Sequence, residues 1–444
     1  MTPSWYRAVW ALGRPLARLA ARGSGKTARA IRGRFGGGDA LVAWAAAHRE
    51  RGRTLVWMHA ASVGEGRQAE AVLQRLVAAR PDWQFIYTFA SPSAQSLAAG
   101  LPVAFAGFVP ADAPADAGRA LDAVRPDLLC FSATDVWPEL VGQAASRGIK
   151  LALVSANLSV SSSRLRAVAR SLLGPAYAAF DRVGAIDDAD AERLVALGAR
   201  QDRVVVTGDT RHDAAHAHAA AVDRGAAHLR ALTADGDRRP ILLAGSTWTG
   251  DESRLLPAVG DVLRGGTSLR LVVAPHEPTA AHLSGLVRFI AAALPGGTCV
   301  RTLSDLEARL RAATPPVETA WDVCLVDRVG VLADLYAAAA LAYVGGGFGT
   351  AGLHSVIEPA ALGVPVLFGP RWRGSRDARL LLGARGGRAV GDAASLASAL
   401  REWVGNETAR TAAGAAARAV VDRGQGAAER SVSLLISLLE LPAR

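Results

Sequence analysis

Lysine is almost missing from this chain: of its 50 basic side chains only Lys26 and Lys150 are lysines. Arginine therefore carries nearly all of the +10 formal charge, part of which the abundant Ala, Arg and Gly of a GC-rich genome would produce by itself. The remainder suits an anionic partner such as a phospholipid surface or a phosphorylated glycolipid. No aromatic-interleaved basic motif and no zinc-finger spacing is present, which argues against nucleic acid. Cysteine is scarce too. Cys130, Cys299 and Cys324 are odd in number and widely spread in apolar surroundings; they exclude a disulfide framework and read as buried thiols in a reducing cytosol. Long hydrophobic runs are also missing, and nothing approaches the roughly 20 apolar residues that span a bilayer.

What is present is a chain of 444 residues, half of them hydrophobic and a fifth charged. That is too long for one usual domain and too apolar for disorder. From Arg53 onward, short apolar runs alternate with amphipathic segments. Strands are expected at Thr54–His59, Gln84–Phe89, Leu128–Phe131, Leu151–Ser155, Arg182–Ala185 and Val204–Thr207. After a helical stretch at Asp213–Leu232 the alternation restarts at Ile241–Ala244, Arg270–Ala274, Val323–Val326, Leu341–Val344 and Val364–Phe368. This grammar predicts an α/β protein of two Rossmann-like, doubly wound domains facing a cleft, with ligands at the carboxyl ends of the strands. The expected division is residues 1–40 as a basic amphipathic segment, 41–207 as the first domain, and 208–444 as the second with a terminal helix. In the leading segment Trp5, Val9, Leu12, Leu16 and Leu19 recur at helical spacing among Arg7, Arg14, Arg18 and Arg22. A helix lying on anionic lipid and an ordinary surface helix packed on its own domain both fit.

Two loops stand out. In Gly345–Pro370 an apolar strand runs into three glycines, a helix-like segment carrying Glu358, and another strand, an arrangement that sets backbone N–H groups against an anionic ligand, with Glu358 able to hold sugar hydroxyls. In His59–Gly66 a strand meets Ser62, Gly64 and Glu65, with Gly64 and Gly66 allowing close approach of a ligand. Glu65 stands either as the ordinary acid of a helix N-terminus or as a general base. Other signals carry less. Gly23-Ser24-Gly25-Lys26-Thr27 ends like a phosphate loop, but Ala20 occupies the required glycine position and no strand precedes it. His212, His216 and His218 lie in an Ala-rich helical stretch without a Cys or Glu at ligand spacing.

Ser62-Val63-Gly64-Glu65, Trp137-Pro138, Gly208-x-x-Arg211-x-Asp213, Ser246-Thr247, Pro275-His276 and Leu353-His354-x-x-x-Glu358-Pro359 follow one another in this order. The series resembles the 3-deoxy-D-manno-octulosonic acid (Kdo) transferases of lipopolysaccharide assembly, from about Trp44 to Gly387. The resemblance implies a GT-B glycosyltransferase that inverts configuration, with CMP-Kdo as donor, a lipid A precursor as acceptor and no further cofactor. It implies that Glu65 is the catalytic base, with Ser62 and Gly64 in the acceptor-side loop. Asp135 and Arg211 would assist catalysis. Ser246, Thr247, Pro275 and His276, the loop Val329, Gly330 and Val331, and the run Ser355, Val356, Ile357 and Glu358 would bind the CMP donor.

The chain departs from that pattern in places. Where the family usually reads Glu-Thr-Glu-Leu-Trp-Pro this chain has Ala133-Thr134-Asp135-Val136-Trp137-Pro138; Asp135 could equally cap the following helix. Arg211 replaces a frequent Lys, and an ion pair with Asp209 or Asp213 competes with a role toward the donor phosphate or carboxylate. Trp248 stands where many relatives have His, His276 where many have Arg, Val331 where they have Glu and Ser355 where Asn is more frequent. No Asp-x-Asp loop at a strand end suits a metal-dependent transferase, since Asp181, Asp187, Asp188 and Asp190 read as solvated helix flanks, so no metal is expected. The implied location is the cytoplasmic face of the inner membrane. A GT-B transferase or epimerase of another class, and a binder that has lost catalysis, remain alternatives.

Overall fold

In a computed structural model of the chain, residues 3–160, 162–312 and 320–440 are described. The chain divides into two compact units, Met1–Ala214 with Gly424–Arg444, and Ala215–Arg423. Each is built on its own seven-stranded sheet with every pairing parallel.

The first sheet comprises β1 (Leu55–His59), β2 (Gln84–Phe89), β3 (Phe105–Phe108), β4 (Leu128–Ser132), β5 (Lys150–Ala156), β6 (Arg182–Ala185) and β7 (Val204–Val206). Its order is β3-β2-β1-β4-β5-β6-β7. β1, β2 and β4 are buried along their whole lengths, as strands covered on both faces must be. One face packs Trp57, Phe131 and Leu153 on Leu41 and Leu140; the other packs Met58, Cys130 and Val154 on Val72 and Leu435. Chain order reverses between β1 and β4, and loops leaving the carboxyl ends of two such strands diverge around a crevice.

The second sheet comprises β8 (Ile241–Thr247), β9 (Arg270–Pro275), β10 (Val300–Thr302), β11 (Val323–Leu325), β12 (Leu341–Val344), β13 (Val366–Phe368) and β14 (Gly387–Ala389), in the order β10-β11-β9-β8-β12-β13-β14. Its reversal falls between β8 and β12. All eleven expected strands are present. The three unforeseen ones, β3, β10 and β14, are all edge strands of three or four residues. The expected helix Asp213–Leu232 is two helices, Thr210–Ala221 and Ala227–Thr233; between them the Asp223 carboxylate accepts from the Gly225 N–H at 2.8 Å, a side-chain turn that competes with the helix.

The last helix, Ala427–Glu440, packs in the first unit, although residues 208–444 were expected to form the second. Its apolar stripe, Ala428, Val432 and Leu435, joins the layer around Met58, Val72 and Val154. Buried Asp213 holds its start, accepting from the Gly426 N–H at 2.8 Å and the Ala428 N–H at 3.0 Å. Arg430 Nε donates to the Thr207 carbonyl at 2.9 Å. Asp213→Ala should therefore cost about 1–2 kcal/mol of stability, the usual worth of a lost cap, read as a lower denaturant midpoint and faster amide exchange in this helix.

Two helices precede β1: α1 (Ser4–Ala20) and α2 (Lys26–His48). The division expected at residue 40 falls inside α2. α1 is inside out. Its polar side chains face the protein: Tyr6 Oη donates to Asp112 Oδ2 at 2.7 Å, Arg7 pairs with Glu139 at 3.0 Å and Arg14 with Asp116 at 3.0 Å. Trp5, Val9, Leu12, Leu16 and Leu19 are instead 50 to 79% exposed. Among the described residues, no helix is long and apolar enough to cross a membrane. Of the cysteines, Cys130 and Cys324 are buried and burial pushes their thiols up, whereas Cys299 is only half-buried.

Candidate functional sites

β1 ends at His59 and helix α3 (Val63–Ala79) begins four residues later, so the intervening loop lies at the reversal point of the first sheet. Glu65 occupies the first turn of α3 and closes a capping box. Its Oε2 accepts from the N–H groups of Ala61 at 2.9 Å and Ser62 at 3.2 Å, while Ser62 Oγ accepts from the Glu65 N–H at 3.4 Å. The structural role foreseen for an acid here is thus real, and it leaves Oε1 outside the box. Burial pushes the Glu65 carboxyl above the usual carboxylate range, the Asp135 carboxylate adds to this, and the Ala61 and Ser62 N–H groups oppose it. Ser62 and Gly64 are exposed; a side chain at Gly64 would meet nothing, so the packing glycine is Gly66, under Tyr87 and Leu97.

Asp135 comes from the loop after β4, the strand beside β1, so the reversal point brings the two acids together. Burial pushes its carboxyl up, while Arg164, whose Nη2 lies 3.4 Å from Oδ1, and Arg34 oppose this. Asp135 does not cap the helix Pro138–Ser146. Asp112 does, accepting from the N–H groups of Glu139 at 3.1 Å and Leu140 at 2.8 Å. Ala133 adopts a left-handed backbone with φ 64°, a mild strain for a residue with a Cβ.

Sequence reasoning gave no role to His59 or Arg34. His59 Nε2 accepts from Trp137 Nε1–H at 2.9 Å, so its proton sits on Nδ1, which lies 2.9 Å from Thr88 Oγ1; Trp57 Nε1 donates to the same hydroxyl at 2.8 Å. Burial, with a smaller push from Arg34, lowers His59 to about 3, so the ring is neutral and ties the Trp137 loop to β1 and β2. The signal for His59 was a polar residue ending an apolar strand; Arg34, far upstream, had none.

Arg211 carries the local ion pair foreseen as an alternative. Its backbone N–H and Nε reach Asp209 Oδ1 at 3.0 and 3.1 Å, and Nε reaches Oδ2 at 2.9 Å. Burial alone would push the Asp209 carboxyl up, but Arg211 overrides it and holds it at about 2. Gln68 Nε2 also donates to Asp209 Oδ1, at 3.2 Å, which fixes this pair to α3, the helix that Glu65 begins.

In the second unit the loops after β8 and β12 flank the reversal point, and one carboxylate ties them together. Buried Asp251, in the first turn of the helix Thr249–Arg264, accepts from the Trp248 N–H at 3.0 Å, the Gly346 N–H at 2.9 Å, Tyr343 Oη at 2.9 Å and the Phe348 N–H at 3.4 Å. A Cβ at Gly345 would overlap the Ser246 carbonyl and one at Gly346 the Gly352 carbonyl, with Gly346 at φ 92°, so backbone contact demands these glycines. Ser246 itself has φ 52°.

The Thr247 hydroxyl is buried and donates to Glu252 Oε1 at 2.9 Å, and Glu252 in turn meets His282. The Thr247 hydroxyl, expected to bind the CMP donor, is thus engaged by Glu252 instead. Trp248 Nε1 donates to His354 Nε2 at 3.0 Å, and the His276 ring lies over both, at 4.5 and 4.6 Å. This aromatic plate was not foreseen. Pro275, Val356 and Ile357 are buried, whereas His276, Val329, Gly330 and Ser355 are exposed and Val331 half-buried. Glu358 opens the one-turn helix Ile357–Ala361 near Tyr336, whose hydroxyl is pushed up by burial and by Glu358.

Comparison with known proteins bears on the family and the fold. Residues 29–214 match the family of 3-deoxy-D-manno-octulosonic-acid transferases (kdotransferases). The 3-deoxy-D-manno-octulosonic acid transferase of Bordetella pertussis is 29% identical over 389 residues, 86% of each chain. That of Chlamydia pneumoniae is 29% identical over 344 residues, 75% of this chain and 73% of its own. Among solved structures, a putative UDP-N-acetylglucosamine 2-epimerase from Listeria monocytogenes superposes with a TM-score of 0.62 at 15% identity, covering 87% of this chain and 97% of its own. A glycosyltransferase from Rickettsia africae gives 0.57 at 11%, covering 87% and 99%. At such identities the likeness is one of fold, the two-sheet GT-B architecture.

Proposed function

We propose that this chain, a member of the 3-deoxy-D-manno-octulosonic-acid transferase family, moves Kdo from CMP-Kdo to a hydroxyl of a lipid A precursor in lipopolysaccharide synthesis. The observation that carries this reading is Glu65, a half-buried carboxyl with raised proton affinity at the reversal point of the first sheet. Glu65 takes the proton of the acceptor hydroxyl as the oxygen attacks the anomeric carbon of Kdo. The bond from that carbon to the phosphate oxygen breaks, and CMP leaves as a phosphate monoester. One in-line displacement inverts configuration.

Asp135 shapes the field around the base, and Arg211, held by Asp209, contributes positive charge. On the second unit, Ser246, the backbone at Pro275, Val329, Gly330 and Val331, the His276 ring and the Ser355–Glu358 turn hold CMP, with Glu358 on the ribose hydroxyls. Phosphate stabilisation by backbone N–H groups and arginine asks for no metal. The outward apolar face of α1, with exposed Arg18, Arg22, Lys26 and Arg29 near its end, supports peripheral attachment to an anionic membrane, the cytoplasmic face of the inner membrane in this reading.

The test is the product mass after incubation with CMP-Kdo and a lipid A precursor. A gain of one or more Kdo units with release of CMP is expected; an unchanged acceptor overturns the reading. Thermal stabilisation by CMP but not by UDP separates it from a UDP-sugar epimerase on the same fold.

A further inference from the structure

Arg34 is the least conventionally placed cation of the first unit. It lies in α2, and its guanidinium is 4.0 Å from the centroid of the Trp137 ring and 6.0 Å from that of Trp10 in α1. Its Nε and Nη2 are buried and make no hydrogen bond among the described residues. It is therefore held by aromatic faces and by the local field, not by a carboxylate fork. Its backbone is fixed as well, since the Ala111 N–H donates to the Arg34 carbonyl at 3.1 Å. A planar cation suits such a place, because it stacks on indole while its charge acts at a distance.

Two links lead from this guanidinium to the reacting groups. Trp137, on which it rests, is fixed at its other end by His59, so the loop carrying Asp135 is held between α2 and the sheet. The charge of Arg34 also reaches Asp135 directly, and Asp135 in turn acts on Glu65. We propose that Arg34 is a positioning residue for transfer: seated on Trp137, it clamps the loop that carries Asp135 and sets a cation in the field of that carboxyl. The other groups in this field are Arg164 and Tyr177 toward Asp135, Tyr6 and Asp112 toward Arg34, neutral His59 beneath Trp137, and Tyr87 toward Glu65. Of the cations facing Asp135, Arg164 contacts it and Arg34 acts without contact.

The test compares wild type, Arg34→Gln and Arg34→Lys by pH-titrated infrared difference spectra against Asp135→Asn in each background, which isolate the Asp135 carboxyl stretch. In Arg34→Gln the Asp135 midpoint should rise by about half a unit to one unit, since removing a cation favours the protonated carboxyl, and Arg34→Lys should recover most of that shift. An unchanged midpoint in Arg34→Gln overturns the proposal. Should Arg34→Gln not fold, a midpoint in Arg34→Lys more than one unit above wild type overturns it equally, because charge alone would then not suffice.

A kinetic arm rests on the reading of Glu65 as base. The acid limb of kcat/KM should move to higher pH in Arg34→Gln, since the carboxyl pair binds its protons more tightly without the cation. A protein that shows no transfer in any form defeats the functional reading, while the infrared midpoints still decide the role of Arg34.

Discussion

Glu65→Gln removes all but a trace of transfer, lowering kcat by about 10²–10⁴-fold, the usual worth of a positioned general base. The substitution keeps the local fold, because an amide oxygen can still accept from the Ala61 and Ser62 N–H groups that the carboxylate now engages. CMP affinity should be unchanged, and a donor-binding titration beside the transfer assay separates chemistry from folding. The pH profile carries the same information in the wild type. A base whose carboxyl lies above the usual range is active above that raised value, and activity falls as the pH drops through it. Stability runs the other way. A carboxyl whose folded-state proton affinity is raised contributes stability below its unfolded value, and that contribution is lost as the pH rises through the folded value. Above that folded value the wild type carries a charge that the fold disfavours, and there Glu65→Gln should melt no lower than wild type. A Glu65→Gln enzyme with near-normal kcat would end the assignment.

Replacing Leu12 and Leu16 of α1 together by Glu should abolish binding to vesicles containing anionic lipid, measured by flotation. Each fully buried leucine is worth about 1.5–3 kcal/mol, so losing two costs at least about two orders of magnitude in partitioning. The fold should not notice: these side chains are 79 and 70% exposed, and α1 is attached through Tyr6, Arg7 and Arg14 on its other face. An amphipathic helix on a globular protein normally hides its apolar stripe; here the stripe is what remains visible. Salt should weaken binding of the unaltered protein, since arginines and lysines near a lipid surface contribute about 1 kcal/mol each. Vesicle binding that survives both glutamates would refute the membrane role of this helix.

Much of this was legible in the residues alone. Fully buried parallel strands write themselves as continuous apolar runs, so β1, β4, β8 and β12 and the loops they launch could be placed without coordinates. That located Glu65, Asp135 and the glycines of Gly345–Gly347. What could not be read were relations between distant segments. The capping of Pro138–Ser146 by Asp112, the stacking of His276 on Trp248 and His354, and the seat of Arg34 on Trp137 all join residues that no periodicity connects. Thr247 shows the opposite failure. A hydroxyl after a strand invites a ligand, but here buried Glu252 claims it. Two edge strands, β10 and β14, escaped because three residues of mixed composition carry no period.

The packing of Ala427–Glu440 on the first sheet has a consequence for biogenesis. During synthesis the strands of that sheet leave the ribosome early, yet the stripe over Met58, Val72 and Val154 stays bare until the final helix emerges and docks. The half of the protein made first is thus the half completed last. A nascent chain halted before Gly426 would present a sticky, chaperone-attracting surface.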